Sequence, residues 1–129
     1  MDTINILKIG DVMPDGTIYA GISPDTKTPM FTTMRDAPEC MTWHEAVRYA
    51  KDLAAHRHRD WRLPSPAELN VLFRNRAAIG KFDETGLPSC GWYWSSAEYF
   101  YFEARDQQFS DGHQGVHPKI LDSSVRCVR

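Results

Sequence analysis

Trp61-Arg62-Leu63-Pro64-Ser65-Pro66-Ala67-Glu68-Leu69 is the stretch from which the rest of this chain can be read. Ser65 is placed as a helix N-cap, and Pro66 suits the first helical position, where its missing amide is not needed. Glu68 then completes a capping box with Ser65. Leu69, Leu72 and Phe73 supply an apolar face, and Gly80 is expected to end the helical region. Ahead of the cap, Arg62 lies between Trp61 and Leu63 in a tight turn. Its side chain is expected to anchor that turn through carbonyls or a carboxylate.

A second helix start precedes it. Thr42 stands three residues before Glu45, another capping box, and Trp43, Ala46, Val47, Ala50, Leu53 and Ala54 recur at helical spacing. His56, Arg57 and His58 are expected near the end of that helix, where positive charge meets free carbonyls. The first third reads as β structure. Ile4–Ile9 and Thr17–Ile22 are predicted strands around the Met13-Pro14-Asp15-Gly16 turn, with Met30–Thr33 as a third. Trp92 and Trp94 alternate with Tyr93 at strand spacing. Ala104–Phe109, a turn over Ser110-Asp111-Gly112-His113, the return over Gln114–His117 and a closing strand at Val125–Val128 complete the pattern. Segregated helices and hairpins indicate an α+β domain.

With 129 residues the chain is long enough for one domain and one substantial core. Fifteen basic residues against 17 acidic ones give a net charge of −2, and His56-Arg57-His58-Arg59 runs straight into Asp60. That balance excludes nucleic acid as the expected partner. No segment approaches the roughly 20 apolar residues of a membrane span, so no membrane insertion is expected. The N-terminal residues have no secretory-signal pattern. Cytoplasmic synthesis is therefore expected, with a phage particle or cell surface reachable by another route. Cys40, Cys90 and Cys127 have no metal-like spacing, and the odd count is read as three reduced thiols.

The opening stretch, Tyr93-Trp94-Ser95-Ser96 and Ser124-Val125-Arg126-Cys127-Val128-Arg129 occur here in one order across one small domain. Together they resemble the Lcl C-terminal domain family, a bacterial and phage branch of the C-type lectin fold, over residues from about Gly10 to Arg129. The resemblance implies two helices with antiparallel sheets, paired N- and C-terminal strands, and a ligand surface built from the late loops. It implies a non-catalytic binding module. Relatives in this fold include phage and retroelement variable proteins, whose C-terminal codons a reverse transcriptase mutates. Lectin-like folds often tie their late region with a disulfide, for which the resemblance offers a Cys90–Cys127 bridge. The Glu-Pro-Asn or Gln-Pro-Asp and Trp-Asn-Asp tripeptides of calcium-dependent sugar binders are absent, so calcium-dependent binding does not carry over.

No catalytic constellation emerges. His56, His58 and Asp60 would splay apart as metal ligands. Asp83 and Glu84 are adjacent, so they do not read as a facing acid/base pair. The cysteine-pair oxidases that share this fold leave Cys90 and Cys127 as their candidates, and Cys127 reads better as a buried thiol. No cofactor or metal is implied. Trp61, Arg62, Trp92, Trp94, Ser95 and Arg126 are expected to form the frame.

Tyr99-Phe100-Tyr101-Phe102 differs, because a half-buried strand hides only alternate side chains and four aromatics in a row must leave some outside. With Arg105, Gln107, His113, Gln114, His117 and Lys119 they make the expected ligand-binding surface, within 99–121, for a protein or carbohydrate partner. The rival reading is a small phage or mobile-element effector that binds and inhibits a host protein.

Overall fold

The computed structural model describes residues 6–88 and 90–129. In chain order it contains β1 (Ile18–Ile22), β2 (Pro29–Thr32), α1 (Trp43–Asp52), α2 (Pro66–Arg74), α3 (Arg76–Ile79), β3 (Trp92–Phe100), β4 (Glu103–Gln108) and β5 (Gln114–Pro118). β1 and β2 form an antiparallel hairpin, and β3-β4-β5 form an antiparallel sheet in that order. The α+β expectation therefore holds. Among the described residues no helix is long and apolar enough to cross a membrane.

Both capping boxes are present, at Thr42 with Glu45 and at Ser65 with Glu68. The second does more than cap. Glu68 is fully buried, and its carboxylate accepts two bonds from Arg62 (2.5 and 2.7 Å), one from the Ser23 hydroxyl (2.6 Å) and one from the Ser65 amide (2.9 Å). Arg62 thus finds the carboxylate anticipated for it, and the pair ties the α2 entry to the end of the β1–β2 hairpin. Burial alone would raise the Glu68 carboxyl, but Arg62, Ser23 and Ser65 more than offset this and hold it at about 2. Gly80 ends the helical region at a φ of 85°, where a side chain would be strained.

Two apolar clusters fill the interior. One gathers Leu69, Leu72, Met30, Tyr93, Phe109 and Val128; the other gathers Trp43, Trp61, Leu63, Trp94, Val125 and Cys127. β3 separates them. Successive strand residues point to opposite faces, so Tyr93 enters one cluster and Trp94 the other, and both are wholly buried. Trp61 and Trp94 are core residues as expected, their indole N–H groups donating to the carbonyls of Ala55 (3.1 Å) and Met41 (2.9 Å). Trp92 is a correction. It is only half-buried and packs against His117 and His113 at the sheet's edge.

The C-terminal segment closes the fold by isolated bridges. Val128 pairs with Thr32 and with Arg62, and Ser124 with Tyr93. Arg126, within that segment, is buried and donates to Asp36 (2.8 Å) and to the carbonyls of Thr33 (3.2 Å), Gly80 (3.0 Å) and Lys81 (3.1 Å). Its guanidinium lies 4.0 Å from the centre of the Phe82 ring. The Tyr93 hydroxyl donates to the other Asp36 oxygen and accepts from the Asp83 amide.

Three further expectations are corrected. Ile4 and Asn5 lie outside the described residues, and Ile6–Ile9 form no strand. The Asp11 amide turns back to the Lys8 carbonyl (2.9 Å), leaving Ile6, Leu7 and Ile9 exposed. The hairpin instead forms between β1 and β2. α1 stops at Asp52, so His56, Arg57 and His58 occupy a following turn, not the helix terminus. His56 and His58 reach across to Asp15, the first to its carbonyl (3.0 Å) and the second to its carboxylate (2.7 Å). Finally, Cys40 and Cys90 form a disulfide with Cα atoms 5.9 Å apart, and Cys127 is the buried free thiol. Neither three reduced cysteines nor a Cys90–Cys127 bridge describes the molecule. Cys127 faces the Trp-lined cluster, where burial pushes its thiol up to about 12.

Three outcomes follow from these contacts. Replacing Arg126 by Leu strands the Asp36 carboxyl and should cost about 3–5 kcal/mol in urea unfolding. Glu68, whose folded value lies below the ordinary 4.5, stabilises the protein fully above that pH and loses its contribution as pH falls toward about 2. That contribution is on the order of 3 kcal/mol; Glu68→Gln should flatten stability against pH across this window. Opening the Cys40–Cys90 bridge, which spans 50 residues, should lower unfolding stability by about 3–4 kcal/mol in a reductant titration.

Candidate functional site

Beyond Ser95 the β3 strand leaves the core. Its pairing with β4 shifts twice between Trp94 and Phe100, and the inward-outward alternation is lost. All four residues of Tyr99-Phe100-Tyr101-Phe102 are exposed, at 52, 66, 84 and 79%. The expectation that a strand would hide alternate rings is exceeded, because the register shifts break the alternation and the last two rings lie in the turn after β3. The rings support one another instead: Tyr99 and Phe100, and Phe100 and Tyr101, have centroids 6.3 Å apart. The Arg105 guanidinium lies 5.1 Å from the Tyr99 ring centre.

The base of this aromatic edge is stiff. The Ser95 hydroxyl donates to the Arg105 carbonyl (2.8 Å), tying β3 to β4. The Lys119 amide donates to the Phe102 carbonyl (2.7 Å), and the residue after it, Ile120, is exposed. A cavity of about 720 Å³ opens between His44, Glu98, Tyr99, Phe100, Tyr101 and Lys119.

The other expected surface residues divide. Arg105, His113 and Gln114 are exposed, and Gln114 donates to the Pro66 carbonyl (3.2 Å). Gln107 and Lys119 are corrections. Gln107 is fully buried and braces the β4 turn by donating to Asn70 (2.9 Å) and the Gly112 carbonyl (3.0 Å). Lys119 is 6% exposed, donates to Glu98 (3.1 Å) and lies 4.7 Å from the Trp43 ring centre. Both are spoken for by the frame, since strand register and packing turned them inward.

His117 belongs to a different arrangement, one that sequence reading missed. Its Nδ1 bonds to Asp106 Oδ2 (2.5 Å), and its ring packs edge-on against Trp92 with centroids 4.6 Å apart. Asp106 is 2% exposed. Among the described residues its second oxygen, Oδ1, has no hydrogen-bond partner. Burial raises its carboxyl to about 6, with the His117 and His113 imidazoles pulling the other way. These groups line a cleft of about 420 Å³ with Gly86, Pro88, Leu121 and Ser123. A signal existed: Ala104 and Asp106 share the inward parity of β4, and a carboxylate at such a position is rarely there for packing. Among the described residues no three His, Cys, Asp or Glu side chains converge as metal ligands would.

Comparison with known proteins bears on the fold and family. None of the curated proteins matches the chain. The crystal structure of botrocetin, a C-type lectin-like fold, superposes with a TM-score of 0.52 at 9% identity. The match covers 78% of this chain and 89% of that one. At that identity the likeness speaks for the fold, which is C-type lectin-like with the terminal segment paired to the first hairpin. Residues 23–129 match the family model of the Lcl C-terminal domain, and the chain belongs to that family.

Proposed function

We propose that the protein is a non-catalytic ligand-binding and display module whose aromatic edge, Tyr99–Phe102, recognises a protein or glycan partner. The observation that carries this reading is the exposure of four consecutive aromatic rings at the end of β3 and in the turn that follows it, while the start of β3 is locked in the core. Monomeric proteins rarely leave such a patch uncovered without use. Tyr offers large contact area with little rotamer freedom to lose on binding. Arg105 and Ile120 extend the patch with a charge and an aliphatic group, the mixture found at the centres of protein interfaces. A protein surface is the favoured partner on that ground, and a glycan is the other outcome of the test.

The finer form of this reading is that the codons within 99–121 are varied by a retroelement, as in phage and bacterial variable proteins. The residues free to vary would be Tyr99–Phe102, Arg105, His113 and Gln114, because Gln107 and Lys119 support the frame. A near-copy of these codons beside a reverse transcriptase gene supports that form, and changes scattered away from adenine positions count against it. The Cys40–Cys90 bridge favours a site of action outside the reducing cytoplasm, on a phage particle or cell surface.

A screen against host-surface proteins and glycan arrays tests the reading. Tyr101→Ala and Phe102→Ala should each weaken the interaction about tenfold or more while leaving the unfolding transition unchanged. A double variant that binds as tightly as the natural chain would overturn it. A pull-down that captures only a cytoplasmic enzyme, through the same rings, would favour the inhibitory-effector reading.

A further inference from the structure

At the end of β3 opposite the aromatic edge, the Trp92–Asp106–His117 cleft has a chemistry of its own. Asp106 sits opposite Gly115 in the β4–β5 register and opposite Trp94 in the β3–β4 register. A β-carbon at Gly115 would stand 3.1 Å from Asp106 Oδ1, 3.0 Å from the Trp92 ring and 3.3 Å from His117 Cε1. Even that single carbon would be tightly packed against all three, so glycine at 115 is what lets Trp92, Asp106 and His117 come together.

The inventory of that corner is one-sided. A carboxylate only accepts, so His117 Nδ1 carries the proton of the 2.5 Å bond to Asp106 Oδ2. With Nε2 unprotonated, the ring offers an acceptor there. Asp106 Oδ1 is a second acceptor without a donor among the described residues. Among these residues His117 is the one cationic type paired with Asp106, and no Arg or Lys reaches it. A buried carboxylate without a full counter-charge carries a large desolvation cost. An anion would add to that cost. A hydroxyl would satisfy Oδ1 but leave the charge unbalanced. A cation with several N–H donors satisfies both conditions, and the Trp92 ring beside it is a favourable neighbour for positive charge.

We propose that this cleft binds an ammonium or guanidinium group, held by Asp106 Oδ1 and His117 Nε2, with the attached alkyl chain against Trp92, Pro88 and Leu121. The group can come from a free amine or from a basic side chain of a peptide. The cleft of about 420 Å³ has room for either kind of chain end. This site is separate from the aromatic edge and stands or falls without it.

The test follows His117 and Trp92 side-chain resonances in the natural chain while n-butylammonium, N-acetyl-arginine amide, N-acetyl-lysine amide or n-butanol is added. The three cations should shift both resonances to saturation, and n-butanol should not. Tighter binding of the two blocked amino acids than of n-butylammonium assigns a peptide-borne group, and the reverse order a free amine. Asp106→Asn and Gly115→Ala should each weaken binding about tenfold or more, the first by removing charge and the second by filling the space. Tyr101→Ala with Phe102→Ala should leave amine binding intact, so failure of one site is distinguishable from failure of the other. Equal shifts with n-butanol, no saturable shift with any cation, or undiminished binding by a folded Asp106→Asn chain would overturn the proposal. If Asp106→Asn does not fold, the cation-against-butanol comparison in the natural chain decides.

Discussion

Arg126 holds together parts of the chain that otherwise share little. Its guanidinium spends its donors on Asp36 and on carbonyls of Thr33, Gly80 and Lys81, while its plane covers Phe82. Those partners come from the segment after the first hairpin and from the segment after the helices. A guanidinium suits this place because its donors lie in a fixed fork and it stays charged when buried. Asp36 carries the constraint onward to Tyr93, whose hydroxyl is kept protonated by burial and by the neighbouring carboxylate. The C-terminal segment, two loops and β3 are thereby fixed relative to one another without a long continuous sheet.

From that anchor the division of labour along β3 follows. Its first half is pinned on both sides, by Tyr93 in one apolar cluster and Trp94 in the other. Its second half leaves the core, and from Glu98 to Phe100 its side chains are exposed. A strand that is rigid at one end and bare at the other presents side chains at little entropic cost to a partner, which is the requirement of a recognition edge. The chemistry at the two ends also differs. The outer end is aromatic and exposed, whereas the inner end offers a recessed carboxylate, an imidazole and an indole around a small cleft.

Local features of this chain were open to reading wherever their cause lay within a few residues. Thr42 with Glu45, and Ser65 with Pro66 and Glu68, write helix starts through bonds that close over three positions. The Arg62 anchor was legible for the same reason, since Glu68 lies only six residues away. The outward aromatics were foreseeable because no strand periodicity hides four in sequence. The failures share a different origin. Cysteine parity carried no information about which thiols meet, and the Cys40–Cys90 pair depends on segments brought together from 50 residues apart. Gln107 and Lys119 have the composition of surface residues, yet the packing of Asn70 and Trp43 against them turned both inward.

The sequence alone determined the caps, the principal turns, the α+β order and the presence of an aromatic surplus near residue 100, since each depends on neighbours along the chain. Only the tertiary structure decided the outcome where partners were distant. It chose the cysteine pair, seated Arg126 on Asp36, split the tryptophans between core and cleft, and left one oxygen of Asp106 without a donor beside His117. The physical reason is that burial and hydrogen-bond satisfaction are set by every atom within a few ångströms, and most of those atoms belong to residues far away in the chain.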